Sequence, residues 1–554
     1  MRNQFLVILL IFAANLPTRA ALSGNYIVSE KSIAPFNTIR TAIQYLTDEG
    51  ADGSVTFTLT DPLYDEPGIT IGLIPGLTTT NTLTIQAEDG KDVTFICAIM
   101  TIEKIEHIEF KGHINHKLNL VSNKLKQPVI DCYARKLKLE YCSILSEQEA
   151  SADGLIIKDC DELELTNCSV DGFSHCMNIY ASITSKIQMR YNQFGRAKRT
   201  GGILVRSNND DNNQINSVLM EYNYFNLNSS ANGFGIFSNN IVFKNNTYSI
   251  DPTYYPILYL SYMSANERIE FIQNSITYQP TIPNSGSLSA HCYFETKKCD
   301  VLNNSFSCHD FFAPWCIDRY VGVDAPVFKF SNPSNSPTRI NVQNNVLEIK
   351  NTTDKWRGYI NFYKSDDPSD ETFKNAIISN NIYYAEGYPR INFNADIDFD
   401  KWRQNNPQFD ASSQFIAPAF VSPTDLHLTQ SNNLGIPIPE ITTDIEGNPR
   451  DPLHPDAGAY EFKETTSTPT IAQDGQCQST SIQFAIKDLG AGSWTISWDF
   501  GDGTTGSGLE TQHVFNVNGN YTVTAVISGN RSYVISKKLE VNALPVKPVV
   551  KIKP

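Results

Sequence analysis

Past its first twenty residues the 554-residue chain has no apolar run long enough to cross a membrane as a helix. It also lacks a nucleophile elbow, a zinc-ligand spacing and a phosphate-binding loop, so chemistries that announce themselves by short motifs find no support. Excess positive charge is missing too. Lys and Arg number 44 against 59 Asp and Glu, a formal charge of −15, which opposes nucleic acid and other polyanions at long range. Screening confines such fields to about 10 Å, so a local basic groove remains compatible with that balance. Charged residues make up only 19% and hydrophobic residues 41%, the composition of a folded chain rather than a disordered one. Cys occurs eleven times, and the odd count leaves at least one thiol unpaired.

What is present starts with MRNQ, the apolar FLVILLIFAANL and PTRA before Ala21. A basic start, a short apolar stretch and a small-residue cleavage site have the form of a secretory signal peptide over 1–20. No Cys follows the apolar stretch, which argues against a lipid anchor. A secreted or cell-surface protein is expected, with no transmembrane segment, acting as a monomer.

The body of the chain is dominated by one spacing: apolar, any, apolar, any, any, Asn, any, apolar. It recurs in LELTNCSV (163–170), IQMRYNQF (187–194), VLMEYNYF (218–225), IVFKNNTY (241–248), IEFIQNSI (269–276), INVQNNVL (340–347) and AIISNNIY (376–383), with a shortened DVLNNSF (300–306) and an earlier LKLEYCSI (137–144). Taking Tyr141, Asn167, Asn192, Asn223, Asn246, Asn274, Asn304, Asn345 and Asn381 as anchors gives intervals of 23–41 residues. Each copy alternates with period two, and a third alternating segment follows after a variable loop. Three short strands per repeat describe one coil of a parallel β-helix, in which stacking of coils creates the core. Asn suits the bend because it tolerates a left-handed backbone, and its amide can bond the coils above and below. The aligned pairs Cys132 over Cys160 and Cys142 over Cys168 read as stacked small apolar side chains, with inter-coil disulfides as the alternative.

FNTIRTAIQYL (36–46) places Ile39, Ala42, Ile43 and Leu46 at helical spacing, so an amphipathic helix is expected to cover the N-terminal end. At the other end, DIEGNPRDPLHPDAGAYEF (444–462), the helix and the Asn repeat together resemble exported bacterial right-handed β-helix proteins of the pectate-lyase-like superfamily. After the Thr-rich linker KETTSTPT (463–470), WDFGDGT (498–504) with His513, Phe515, Gly519, Tyr521 and Val523 resembles the PKD domain. The expected fold is therefore all-β: a right-handed parallel β-helix with a capping helix over 21–462, then an immunoglobulin-like sandwich over 471–543 and a tail at 544–554. Asp499 and Asp502 read as turn residues beside Gly501 and Gly503, with calcium ligation as the alternative.

The third segment of each coil is where function is sought. Alternation turns Met177, Ile179, Ile203, Val205, Ile236, Cys292 and Phe294 inward and Asn178, Tyr180, Arg206, Phe237, Tyr259, His291, Tyr293, Lys329, Asn361 and Tyr363 outward. Aromatic faces stack on sugars, while amides and cations bind hydroxyls and carboxylates. The resemblance implies that this sheet forms a saccharide groove. Tyr180, Phe237, Tyr293, Tyr363 and Asn361, with the basic loop Arg196, Lys198 and Arg199, are the expected substrate-binding residues. Inverting hydrolases need closely set carboxylates, and the outward set offers only Glu295 at its margin. β-Elimination of a uronate needs a base and a cation at the carboxylate, and Arg206, Tyr259, His291 and Lys329 fit by type. Ca²⁺ is the cofactor the sequence admits, through Asp210 and Asp211. YNQFGRAKRTGGILVRSNNDDNNQINSVLMEYNYF (191–225), with its N-x-F…G…N-x-F coil and basic loop, resembles alginate and chondroitin lyases of this fold, although their following Lys and Arg-His positions have no counterpart after Asn246. A polysaccharide-active or polysaccharide-binding protein, with lyase chemistry on an acidic glycan, is the leading expectation. A non-catalytic adhesin and a glycoside hydrolase remain as alternatives.

Overall fold

The computed structural model describes residues 20–31, 35–123, 127–146, 153–173, 175–181, 185–195, 201–207, 215–227, 234–250, 259–278, 290–309, 325–331, 339–350, 358–362, 376–385, 390–392, 396–463, 469–489, 494–529 and 532–544. Two compact units emerge. One comprises residues to Pro418 together with Asn433–Glu461, and the other comprises Ala419–Asn432 with the residues from Phe462 on.

The first unit is a β-solenoid of parallel strands. Strands of successive coils pair in parallel in a 21-stranded and a 13-stranded sheet. Alternation explains the interior. Leu139, Leu165, Met189, Met220, Phe243, Phe271, Val301 and Val342 follow one another in register, one per turn, and all are buried. On the second sheet Phe194, Phe225 and Tyr248 stack, with centroids 5.1 and 4.9 Å apart. No single turn could bury these faces, so turn-on-turn stacking supplies the hydrophobic stabilisation.

The N-terminal helix is Ile39–Glu49, a few residues further on than the sequence pattern suggests. Thr38 caps it, and the Glu66 carboxylate accepts from Ile39 N (2.7 Å) and Arg40 N (3.1 Å), placing negative charge where helix N–H groups are unpaired. Ile39, Ala42, Ile43 and Leu46 are buried in the same core as the first strands, as the spacing predicts.

At the bend between the two sheets the structure separates two roles that the sequence reading assigned to one residue. The left-handed position is held by Tyr141, Asn167, Tyr191, Tyr222, Asn245, Gln273, Asn303, Asn344 and Asn380, with φ between 52° and 57°. The amide ladder is the residue after it: Asn192, Asn223, Asn246, Asn274, Asn304, Asn345 and Asn381. Each Oδ1 from Asn223 through Asn381 accepts both the backbone N–H and the Nδ2 of the preceding ladder Asn, at 2.8–3.2 Å. Tyr141 and Asn167 therefore belong to the bend column, and Cys142 and Cys168 are the ladder positions of those turns, since Ser143 pairs with Ser169 and Cys168 N donates to Asn192 Oδ1 (2.9 Å). The ladder ends where Asn381 N meets Ser413 Oγ (2.9 Å), which in turn donates to the buried Asp410. Cys142 and Cys168 do stack in adjacent turns. Cys132, however, pairs with Ile157, three residues before Cys160; the turns are offset by 25 residues there and by 26 from Lys136–Glu162 on, and neither offset brings the two cysteines together. All four are unbridged, and burial pushes the Cys160 thiol up to about 12.

The segment Asn433–Glu461 lies along the bend column. Asn344 clamps Ile436, donating to its carbonyl (2.8 Å) and accepting its N–H (3.0 Å). Asn380 and Gln273 donate to Leu434 O and Thr443 O. Gly458 N bonds Asn344 O and Ala459 N bonds Ser305 Oγ. The D-x-x-G-x-x-R…D-x-G-A-x-E-F residues hold this segment together: Arg450 is buried, bonding Asp456 O, Gly458 O, Ala459 O and Glu461, while Asp444 accepts from Glu446, Asn448 and Glu461.

The second unit carries a three-stranded and a four-stranded antiparallel sheet around Phe484, Ile496, Trp498, Phe515, Val523 and Ile527. Asp499 accepts from Gly501 N, and Asp502 accepts from Thr504 and faces His513 Nε2 at 2.7 Å, so both aspartates serve the turn in which Gly501 and Gly503 have φ of 77° and 89°.

Candidate functional site

Two columns of register-paired positions run along the first sheet, facing outward from Asp131 to Gly235 and from Tyr133 to Phe237. One passes through Asp131, Ile156, Asn178, Leu204, Gly235, Tyr262, Tyr293, Lys329, Asn361 and Asn392. The next passes through Tyr133, Lys158, Tyr180 and Arg206, and then Phe237, whose neighbour Ile236 pairs with Val205. Met177, Ile179, Ile203, Val205, Ile236, Cys292 and Phe294 are buried between them, as alternation requires.

The register brings several predicted residues together. Tyr180 and Arg206 are partners in adjacent turns, with the guanidinium 4.4 Å from the Tyr180 ring centroid and its Nη2 donating to the phenolic oxygen. Tyr293, Lys329 and Asn361 fall in consecutive positions of the other column. His291 stands two residues before Tyr293 on the same strand, Ala290–Leu302. Tyr259, expected in the outward set, does not join it: it pairs with Ala290, in phase with Ser261–Cys292 and Met263–Phe294, and the register sets Tyr262 opposite Tyr293 instead. Arg196, Lys198, Arg199, Asp210, Asp211 and Tyr363 lie outside the described residues.

A group that the alternation did not single out completes the cluster. Asp153 pairs with His175 at the starts of their strands. His175 Nδ1 is 2.6 Å from Asp153 Oδ1, and Asn178 Nδ2 donates to both Asp153 Oδ2 (3.3 Å) and the Tyr180 oxygen (3.2 Å). A continuous polar chain results: His175, Asp153, Asn178, Tyr180, Arg206. Because Asn178 and Arg206 both donate to Tyr180, its own proton must point away from them. Among the described residues Asn178 Oδ1 has no hydrogen-bond partner. Lys158 holds both oxygens of Asp131 at 2.8 and 3.1 Å. The signal for this part was available in the aligned starts DGLIIK and HCMNIYA, which place an acid under a histidine.

The strands that continue each turn carry a different surface. Lys136–Glu162 (2.6 Å), Arg190–Glu221 (3.0 Å) and Arg268–Asp300 (2.7 Å) neutralise one another from turn to turn. A cavity of about 440 Å³ at the C-terminal end of the solenoid is lined by Phe399, Asp400, Arg403, Ser413, Gln414, Phe415 and Ile416. Its two charged groups pair with each other at 2.8 Å. Beyond Ser413, burial raises the Asp410 carboxyl above its usual range against the bonds from Ser413, Trp402 and Tyr383. Among the described residues no cluster of three or more His, Cys, Asp or Glu could hold a metal ion, and no helix is long and apolar enough to cross a membrane.

Fold and site thus define a parallel β-solenoid with a polar and aromatic sheet face, followed by a small antiparallel β unit. The family profile of the PKD domain matches residues 466–539, so the chain carries a PKD domain. No curated protein matches the chain. A solenoid with a PKD domain fits a carbohydrate-related or surface protein.

Proposed function

We propose that the protein is exported and that its sheet face binds an acidic polysaccharide laid along the solenoid. The observation that carries this reading is the exposed Arg206 guanidinium set against Tyr180, with Asn178 beside them and Phe237 one turn on. A cation for a carboxylate, a ring face for a pyranose and amides for hydroxyls sit in adjacent turns about 4.8 Å apart, in line with a polymer. Tyr293, Lys329 and Asn361 extend the same chemistry along the neighbouring column. The resemblance to the pectate-lyase-like superfamily supports the same face.

For chemistry on that face, β-elimination of a uronate fits best. Arg206 would turn from the Tyr180 oxygen to the sugar carboxylate, and the oxygen it frees would take the C5 proton while the phenol's own proton passes to the departing C4 oxygen as the C4–O bond breaks, with Asn178, Asp153 and His175 positioning the ring. Hydrolysis is less suited, because Asp131 is held by Lys158, and Asp153 by His175 and Asn178. The self-neutralised charges on the adjoining strands favour a second reading, a non-catalytic adhesin whose solenoid is a display surface.

Incubation with alginate, pectate and glycosaminoglycans, with Ca²⁺ supplied, should raise the absorbance of unsaturated products; a flat trace with retained binding selects the adhesin. Arg206→Ala should weaken binding to these polyuronates at least about tenfold. Unchanged affinity would end the proposal for this face.

A further inference from the structure

The bend column is structurally uniform but chemically uneven. Six of its nine left-handed positions between 141 and 380 hold Asn or Gln: Asn167, Asn245, Gln273, Asn303, Asn344 and Asn380. Tyr141, Tyr191 and Tyr222 take the same backbone, with φ of 52°, 57° and 55°. A bulky side chain is rarely found there, whereas Asn is the residue that tolerates it. Neither the fold nor the ladder requires tyrosine, because neighbouring turns make the same bend with amides.

Tyr141 is half-buried, and the other two are exposed. Tyr191 is 54% and Tyr222 39% accessible, and Tyr224 beside them is 39% accessible. The Tyr191 and Tyr222 rings are parallel, 7° apart with centroids at 5.0 Å, so each covers one face of the other. The column steps from Tyr141 through the half-buried Asn167 to Tyr191, which leaves two tyrosine positions about 10 Å apart with an amide between them. At Gln273, Asn344 and Asn380 this same column is occupied by the chain's own segment 433–461, held by main-chain hydrogen bonds to those amides. At the tyrosine turns the amides that recognise main chain are replaced by rings. That exchange disfavours a peptide and favours a ligand with flat apolar faces and hydroxyl edges.

We propose that Tyr191 and Tyr222, with Asn167 and Tyr224 at their sides, form a second saccharide-binding site that takes a pyranose ring of an oligosaccharide. This site shares the glycan reading given above but none of its residues, so the two can fail separately. A pyranose would lay its C–H face on the outer face of the tyrosine stack and present hydroxyls to the Asn167 amide. Backbone strain retained at a ligand contact is a known use of such positions.

The test replaces both tyrosines by the residue the rest of the column uses. Tyr191→Asn/Tyr222→Asn removes the rings while keeping a side chain suited to the bend, so the full-length variant should fold, with a melting temperature equal to or above wild type. Binding of cellohexaose and chitohexaose, neutral hexasaccharides that offer Arg206 no carboxylate, is measured by calorimetry, with saturation-transfer NMR to read which sugar protons lie against rings. The expected result is binding of at least one hexasaccharide by wild type, weakened about tenfold or more in the double variant, and retained in Arg206→Ala. Unchanged affinity in the double variant overturns the proposal, and so does binding lost only in Arg206→Ala, which would leave the sheet face as the sole site. Two further results overturn it: a lower melting temperature with unchanged affinity, which makes the stack structural, and capture of unstructured peptides with no hexasaccharide bound.

Discussion

Asn246→Ala is the sharpest probe of what holds the solenoid together. Asn246 is fully buried; its Oδ1 accepts from Asn223 N (2.9 Å) and Asn223 Nδ2 (3.0 Å), and its Nδ2 donates to Met220 O (2.9 Å) and Asn274 Oδ1 (3.2 Å). Removing the side chain strands one buried backbone N–H, that of Asn223, at about 1–3 kcal/mol, and deletes further bonds worth about 1 kcal/mol each. The Asn223 amide keeps its bond to Met189 O, so the total is about 3–5 kcal/mol. Asn246→Asp leaves no cavity but sets a second acceptor against Met220 O and Asn274 Oδ1, so near pH 7 it should cost at least as much. Cys168→Ala is the control, at the same column position two turns before Asn223. There the backbone N–H keeps its bond to Asn192 Oδ1, and what is lost is a thiol with its weaker sulfur bonds to Thr166 O (3.4 Å) and Cys142, at about 1–2 kcal/mol. Urea unfolding followed by far-ultraviolet circular dichroism, with hydrogen exchange over residues 215–278 to catch local opening, reads the difference. If Asn246→Ala and Asn246→Asp shift the midpoint no more than Cys168→Ala does, the ladder is not a source of stability and the reasoning fails.

Other outcomes follow from the same structure. Gly458→Ala should loosen segment 433–461, because φ is +107° and a Cβ would lie 2.7 Å from Ser305 Oγ; a loss of about 1–3 kcal/mol and faster proteolysis within that segment would show it. Burial works against ionised Asp502, yet the bonds from Thr504 and His513 outweigh it and hold its carboxyl below the usual range. A folded-state value below the unfolded value of about 3.9 means that this stabilisation is present above that pH and is lost as pH falls through the folded value. Thermal melts of the PKD transition below about pH 4 should therefore fall less steeply in Asp502→Asn, and an identical slope would contradict the assignment. Export predicts that the mature protein begins at Ala21, which N-terminal sequencing of the secreted product checks.

Periodicity carries most of the solenoid, and it fails where two residues share a cue. In the Asn-Asn pairs at 245–246, 303–304, 344–345 and 380–381, one amide bends the chain and the next bonds the neighbouring turn, but composition cannot say which. Turns with unequal pairs, such as Tyr191–Asn192, Gln273–Asn274 and Asn167–Cys168, reveal the order, and taking Tyr141 and Asn167 as anchors shifts those two turns by one. Tyr259 illustrates a second limit. Strand Tyr259–Ile272 runs without a break from the third segment of one turn into the first of the next, so no turn residue marks the phase of the alternation. The site divides along the same line: Tyr180 and Arg206 follow from period two, while Asp153 and His175 lie at strand starts, outside the alternation that was counted. The seat of segment 433–461 depends on contacts up to 170 residues apart, which no local pattern encodes.

The bend column also explains how one repeated geometry can serve different ends. A left-handed residue projects at every turn whatever its identity, because the backbone bend fixes it. Substitution there leaves the ladder one residue later intact, as Tyr191 beside Asn192 and Gln273 beside Asn274 demonstrate. The constraint is then mild strain rather than loss of core, so the column is free to vary where the ladder is not. Along Gln273–Asn380 that freedom is used for amides that hold the chain's own tail, and at Tyr191 and Tyr222 for paired rings left open to solvent. Sequence variation confined to this column should therefore alter what the solenoid binds before it alters how the solenoid folds.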